Sequence, residues 1–110
     1  RKQMAKDPAF LFYPGDWLGG TMTFTREQKG AYIDLLMAQF NNGHMTIHEI
    51  RNVLGENDFK NMWENILIRK FKKDSSGKFF NEKLEYEIVR RQNYSQSRRK
   101  NRVNGSSYEK

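Results

Sequence analysis

The side chains best suited to chemistry are the cations within residues 90–102. That stretch contains six Lys and Arg and no acid, with Tyr94 among them and Gln and Asn side chains in between. Guanidinium groups suit phosphate oxygens, and a tyrosine ring can stack on an exposed base. The stretch therefore predicts a nucleic-acid-binding arm, and the alternative is a solvated tail that only aids solubility. The six cations are Arg90, Arg91, Arg98, Arg99, Lys100 and Arg102.

The basic character of the chain is concentrated at one end. Residues 1–68 contain seven Lys and Arg against eight acids, whereas residues 90–110 contain seven against one. A nearly neutral body with a basic end is typical of a protein that binds nucleic acid or another anionic surface. A membrane surface is not favoured, because no large apolar face accompanies the charge.

A second group of cations surrounds the polar segment 74–77 (DSSG), which has the length and the glycine of a β-hairpin loop. On such a hairpin, lysines can bind phosphates as point charges without specifying a sequence. They can also protect an exposed strand edge from aggregation, and the two roles are compatible. The lysines concerned are Lys70, Lys72, Lys73 and Lys78.

A third candidate is the polar face of a helix predicted to begin near Asn57 or Asp58. Lys60, Asn61 and Asn65 lie on this face, and the two amides, four residues apart, suit adenine edges. Glu64 lies between them and repels phosphate. The face therefore predicts limited base reading at most, and a plain solvated surface is the alternative.

No set of residues assembles into a convincing catalytic or metal site. His44 and His48 are four residues apart, but Thr46 as a helix N-cap places His44 outside the helix, and no carboxylate or Cys completes a ligand set. We expect neither an enzyme nor a cofactor or small-molecule substrate. Three aspartates are too scattered for a nuclease metal site: Asp7, Asp16 and Asp34.

The chain has no cysteine, no apolar run long enough to cross a membrane and no recognisable leader, so a cytoplasmic protein is expected. Its 110 residues suit one domain with a strongly aromatic core. It begins with Arg1 rather than Met, which is compatible with a piece of a longer protein.

The helices and strands that position these cations are predicted from helix-capping residues and from the spacing of apolar residues. Residues 10–13 are apolar on both faces, which predicts a short strand or extended segment covered on both sides and ended by the turn Pro14-Gly15, with Trp17 and Leu18 closing the core over that turn. Thr25 and Gln28 form a capping box for a helix that runs to about Asn41. The expected buried face of this helix comprises Tyr32, Ile33, Leu35, Leu36, Met37 and Phe40.

Two further helices and the hairpin come next. Thr46 caps the second helix, with Ile47, Ile50, Val53 and Leu54 on its inner face. The third helix buries Phe59, Met62, Trp63, Ile66 and Leu67. After the hairpin a last helix begins near Asn81, and its apolar stripe stops at Val89.

This order predicts a mainly α protein with a small β-hairpin, arranged as a winged helix-turn-helix over residues 8–89. Residues 90–110 are then a basic C-terminal helix extension or a disordered tail.

The sequence also resembles the YdaU-like family of bacteriophage and prophage proteins, over roughly residues 10–102. The resemblance rests on Asp16-Trp17-Leu18 after an aromatic opening, and on the capped helix reading Thr25-x-x-Gln28-x-Gly30-Ala31-Tyr32-x-x-Leu35-Leu36. It continues through Gly77, Asn81, Leu84 and Glu87 into the basic tail. Where the family has two acids in the first turn of the capped helix, this chain has Arg26-Glu27-Gln28.

The resemblance implies a winged-helix module at the N-terminus of replication initiation or primosome-type proteins of phages and mobile elements. The first hypothesis is therefore a domain that binds double-stranded DNA. The second is an adaptor that binds protein, namely a replication helicase, its loader or a second copy of the chain, without reading DNA. The residues leave open the target sequence and the choice between duplex, single strand and RNA.

Overall fold

The computed structural model of the protein describes residues 9–103, except for the side chains of 95 and 99–103. It is mainly helical with one small antiparallel sheet, as predicted. The helices are α1 (Pro14–Gly20), α2 (Arg26–Asn42), α3 (Ile47–Leu54), α4 (Glu56–Asp58) and α5 (Glu82–Val103). A π-helical turn (Phe59–Trp63) continues α4, and a 3₁₀ turn (Leu67–Lys70) precedes the strands β1 (Lys72–Lys73) and β2 (Phe79–Phe80).

The apolar opening differs from its prediction. Residues 10–13 form no strand, and Leu11, Phe12 and Tyr13 are exposed. Pro14 lies in the first turn of α1, where its missing N–H costs nothing and its fixed φ favours the helix. Leu18 is 61% exposed and does not close the core. The prediction was wrong because a Pro-Gly pair suits a helix start as well as a turn.

The capping predictions for α2 and α3 are confirmed. The Thr25 hydroxyl accepts from Gln28 N at 3.1 Å, and the Gln28 side chain accepts from Thr25 N at 2.9 Å. The Thr46 and Glu49 pair repeats this arrangement at 3.1 and 2.8 Å. Each box satisfies two N–H groups that the helix itself leaves unpaired. Both helices thus begin at the predicted residues.

The core lies between α2, α3 and the π-helical turn. Trp63, Leu35, Ile50 and Leu67 are fully buried. The Trp63 ring packs on two phenylalanine rings of the hairpin region, with centroids 5.5 Å from Phe71 and 5.2 Å from Phe79. The buried faces predicted for α2 and α3 include three residues that are exposed in the structure: Met37, Ile47 and Val53.

A backbone bridge ties the start of α3 to the sheet. Lys72 pairs with Phe80 and Lys73 with Phe79 in the antiparallel hairpin. On the other side of β2, Met45 N donates to Phe79 O at 2.9 Å and Phe79 N donates to Met45 O at 2.7 Å. The segment before α3 therefore holds the hairpin against the helical body.

Buried polar groups fix the point where α5 begins. The Gln39 amide exchanges two hydrogen bonds with the backbone of Asn81, at 2.7 and 3.2 Å. Asn81 Nδ2 donates to Tyr32 Oη at 3.1 Å and to Lys70 O at 2.8 Å, and Asn81 Oδ1 accepts from Leu84 N. Burial raises the pKa of Tyr32. These bonds satisfy buried polar groups and set the direction in which α5 leaves the body.

Candidate nucleic-acid interface

Helix α5 continues well past the apolar stripe that attaches it to the body. Leu84 and Glu87 are buried and Ile88 is half-buried, whereas the described side chains from Asn93 to Arg98 are all exposed. At 1.5 Å per residue, residues 93–103 extend the helix by about 16 Å. Of the two alternatives for the basic end, the structure has the helix as far as Val103.

The described arginines of α5 lie in three different environments. Arg90 is exposed, 3.6 Å from a carboxylate oxygen of Glu87, and donates to Tyr13 Oη at 3.5 Å. Arg91 is half-buried. The Arg98 guanidinium is exposed and lies 5.6 Å from the centroid of the Tyr94 ring. The side chains of Arg99, Lys100 and Arg102 lie outside the described residues, although their backbone is helical.

The hairpin lysines do not form one uniform cluster. Lys70 is half-buried, with Nζ 5.6 Å from the centroid of the Phe24 ring, and Lys73 Nζ lies 5.5 Å from that of Phe79. Lys72 Nζ pairs with Glu82 at 3.1 Å. Lys78 is exposed at the end of the loop. Three of the four lysines therefore expose their ammonium groups around the loop.

Asp74 organises the hairpin loop and links it to the body. Its Oδ1 accepts from Ser76 N, Ser76 Oγ and Lys78 N, at 2.8 to 3.0 Å. Its Oδ2 lies 2.6 Å from His44 Nδ1, and the other ring nitrogen of His44 lies 3.2 Å from Glu85. The bond from His44, followed by those from Ser76 and Lys78, holds the pKa of Asp74 well below its usual range.

The predicted base-reading face is more acidic than the sequence suggested. Lys60 and Asn61 are exposed, but Asn65 Nδ2 donates to Asn61 O at 2.8 Å within a turn. Because α4 begins at Glu56, one or two residues before the predicted start, a further acid joins this region. The exposed acids of this region are Glu56, Asp58 and Glu64.

Sequence reasoning missed three residues of this surface. Arg69 is exposed on the 3₁₀ turn before β1, directly before Lys70. Lys83 pairs with Asp16 at 2.9 Å, and His44 joins the hairpin loop to α5. No local pattern reports the last two contacts, since their partners lie far away in the sequence.

A groove lies where the apolar opening passes α5. It has a volume of about 80 Å³, and its wall includes Trp17, which stacks on Tyr32 with centroids 5.2 Å apart. Glu87 also lines the groove, and its Oε1 is buried with no hydrogen bond among the described residues. Leu11 and Phe12 line the groove and are exposed, and Leu18 and Met22, next in sequence to the lining residues Trp17 and Thr21, are exposed as well.

Within residues 9–103, no group of three His, Cys, Asp or Glu side chains is arranged to hold a metal ion. None of the helices in that range combines the length and apolar character that a membrane crossing requires. No family model, curated protein or solved structure matches this chain.

Proposed function

We propose that this chain is a winged-helix domain that binds the phosphate backbone of double-stranded DNA through its hairpin and α5. The YdaU-like resemblance supports a place for it in replication initiation of a phage or mobile element. The hairpin takes the role of the wing, and α5 that of a basic arm. Both elements bring cations to an otherwise nearly neutral body.

The element order supports the winged-helix assignment. Helices α2, α3 and α4 follow one another, and the β1–β2 hairpin comes directly after them. The isolated Met45–Phe79 bridge lies where such folds place a short third strand, between their first two helices. A helix-turn-helix pair flanked by a hairpin is the arrangement from which winged-helix proteins contact DNA.

The observation that carries the DNA-binding proposal is the continuation of α5 beyond the body. The segment from Gln92 to Val103 contains four cations and no acid, and its described side chains beyond Gln92 are exposed. This helical extension keeps its described cation, Arg98, in solvent rather than against its own domain. It therefore offers this charge to a polyanion at little cost in desolvation.

The ion pairs within this surface leave cations open to phosphate. Lys72 and Glu82 are both exposed, and solvent weakens such a pair, so phosphate can replace the carboxylate partner. Glu87 is buried, but about half of the Arg90 side chain beside it remains open to solvent.

Titration of a labelled DNA duplex at increasing salt tests the proposal. Binding at about 50 mM salt is expected, and six phosphate contacts from the 90–102 stretch give log K a slope of about −5 against log salt. Deletion from residue 90 onward lowers both affinity and slope. Two double variants are matched in charge: R98Q/R99Q removes two cations from α5, and R26Q/K29Q removes two from α2. Only R98Q/R99Q should lower the slope. No binding of the full chain to any duplex at this salt concentration would overturn the proposal.

A second candidate, a protein-binding adaptor, is favoured by one observation: the exposed apolar side chains around α1. Met22 is 77% exposed, and Phe12, which lines the groove together with Trp17, is 47% exposed. A replication helicase, its loader or a second copy of the chain are the partners for such a surface. Size-exclusion chromatography of the same sample reports self-association, and the double variant L18S/M22S should abolish it without changing duplex binding.

A further inference from the structure

We propose that the protruding part of α5, residues 93–103, enters the major groove of B-form DNA and replaces α4 as the element that reads bases. This inference rests on the proposed function, since it assumes that the chain binds duplex DNA. It goes further by naming the helix that reads, the groove it occupies and the duplex form it selects.

Helix α4 is poorly suited to the groove. In winged-helix proteins the third helix normally inserts between the two phosphate backbones. Here Glu56, Asp58 and Glu64 are exposed, and the nearby cations are Lys60 and Arg51, whose Nε lies 3.4 Å from Glu56. The acids still outnumber the cations, so the phosphates repel this region, and the repulsion is strongest at low salt, where DNA binding is otherwise strongest.

The local geometry of α4 adds a second obstacle. The regular helix covers only Glu56–Asp58 before the backbone widens into the π-helical turn (Phe59–Trp63). Asn65 lies beyond that turn and donates its amide to Asn61 O. The two asparagines therefore do not project as a pair from one regular helix face.

The free part of α5 has the dimensions of the groove. An α-helix with its side chains is about 10–12 Å across, and the B-form major groove is roughly 12 Å wide. The protruding segment is about 16 Å long, which spans about five base pairs at 3.4 Å each. Nothing in the body covers the described side chains of this segment, because Gln92 is the last one that is half-buried.

The residue types on this segment suit base edges. Asn93 and Gln96 are exposed, and no hydrogen bond to another described residue occupies their amides. Amides of this kind pair with adenine, and arginine pairs with guanine. Arg98 is held against the Tyr94 ring at 5.6 Å, which restricts its orientation before DNA is bound. The segment thus combines amide and guanidinium donors with cations that contact the flanking phosphates.

The geometry also selects between nucleic acids. A-form RNA has a deep and narrow major groove that side chains cannot read. A helix that inserts into the groove should therefore bind duplex DNA in preference to duplex RNA of the same sequence. A purely electrostatic tail would bind both, and an acidic protein partner would require neither.

Substitution of Ser97 tests insertion without changing charge. Ser97 is exposed, five residues beyond Gln92, so a change there leaves the body intact. S97P breaks the helix by removing an N–H and clashing with the preceding turn, and S97A keeps it. Thermal unfolding and circular dichroism of both variants check that the body is folded and that only S97P loses helix.

With labelled DNA and RNA duplexes, wild type and S97A should bind DNA more tightly than RNA. S97P should lose about fivefold or more in DNA affinity, the size expected for one lost base contact, and should lose the preference for DNA. Equal DNA affinity of S97P and S97A would overturn the inference, as would equal binding of DNA and RNA by wild type, while the proposed function would stand. No duplex binding by wild type would overturn both.

Selection from a pool of duplexes with a randomised core identifies the helix that reads. N93A/Q96A in α5 and N61A/N65A in the region that follows α4 each remove two amides and no charge. The α5 pair should flatten the selected sequence preference and leave the salt slope unchanged, and the α4 pair should leave both as in wild type. A preference lost only in the α4 pair would return the reading role to α4.

Discussion

His44 Nδ1 lies 2.6 Å from Asp74 Oδ2, and this contact joins the α2–α3 connection to the hairpin loop. The other ring nitrogen faces Glu85 of α5 at 3.2 Å, and the ring stacks on Phe80 with centroids 4.5 Å apart. The His44 ring therefore lies between the hairpin loop and α5, the two elements proposed to contact DNA.

The low pKa of Asp74 makes stability depend on pH. A carboxyl whose pKa is lower in the folded than in the unfolded chain stabilises the fold above its unfolded pKa of about 4, and this contribution is lost as the pH falls below that value. D74N should therefore unfold at lower urea concentration than wild type at pH 6, and the difference between their urea midpoints should become smaller towards pH 3. Urea unfolding at both pH values measures this difference. D34N changes an exposed carboxylate and is the control, with the midpoint of wild type expected. A D74N difference that is as large at pH 3 as at pH 6 would contradict the assigned role.

The capping boxes should be measurable one at a time. T25A and T46A each remove a hydroxyl that accepts a backbone N–H, and each should lower the free energy of unfolding by about 1 kcal/mol. T25S and T46S keep the acceptor and should stay close to wild type. Urea unfolding reports the values, and equal losses in the Ala and Ser variants would mean that the hydroxyl does not cap.

Two apolar residues of α2 provide a test of its buried face. Leu35 is fully buried, whereas Met37 is 39% exposed two residues later. L35A should cost about 2–5 kcal/mol from lost burial and the cavity left behind, and M37A should cost well under half of that. Chemical denaturation of the pair measures the difference. Similar losses would place Met37 in the core after all.

Local signals in the sequence predicted the helix starts and the hairpin well. The Thr25 and Thr46 boxes depend on residues three positions apart, so the sequence contains the whole interaction. The ends of α2 and α3 follow likewise from Gly43 and Gly55, whose positive φ values of 92° and 85° suit glycine. The hairpin also forms where its polar loop and Gly77 indicate.

Contacts between distant residues account for what the sequence did not predict. His44 was considered only for a metal site with His48, because Asp74 and Glu85 lie at least 30 positions away. Leu18 and Met37 read as core because every apolar residue of a wide face is equally eligible until the neighbours are placed. Glu56 was likewise not expected in α4, because the predicted start of that helix was Asn57 or Asp58.

The Lys72–Glu82 pair gives a direct test of the hairpin in DNA binding. Glu82 lies in the first turn of α5, 3.1 Å from the ammonium of Lys72, and E82Q frees that ammonium for phosphate. E27Q is a matched control, because Glu27 is an exposed acid in the first turn of α2 and its loss has the same effect on net charge and on the helix dipole.

We expect E82Q to raise duplex affinity at low salt by about two- to fivefold, since one added phosphate contact strengthens binding and steepens the salt dependence. E27Q should change affinity by less than that, because its charge lies outside the hairpin. Anisotropy titrations of both variants across a salt series measure the two effects, and equal gains would show that net charge acts without any specific contact by the hairpin.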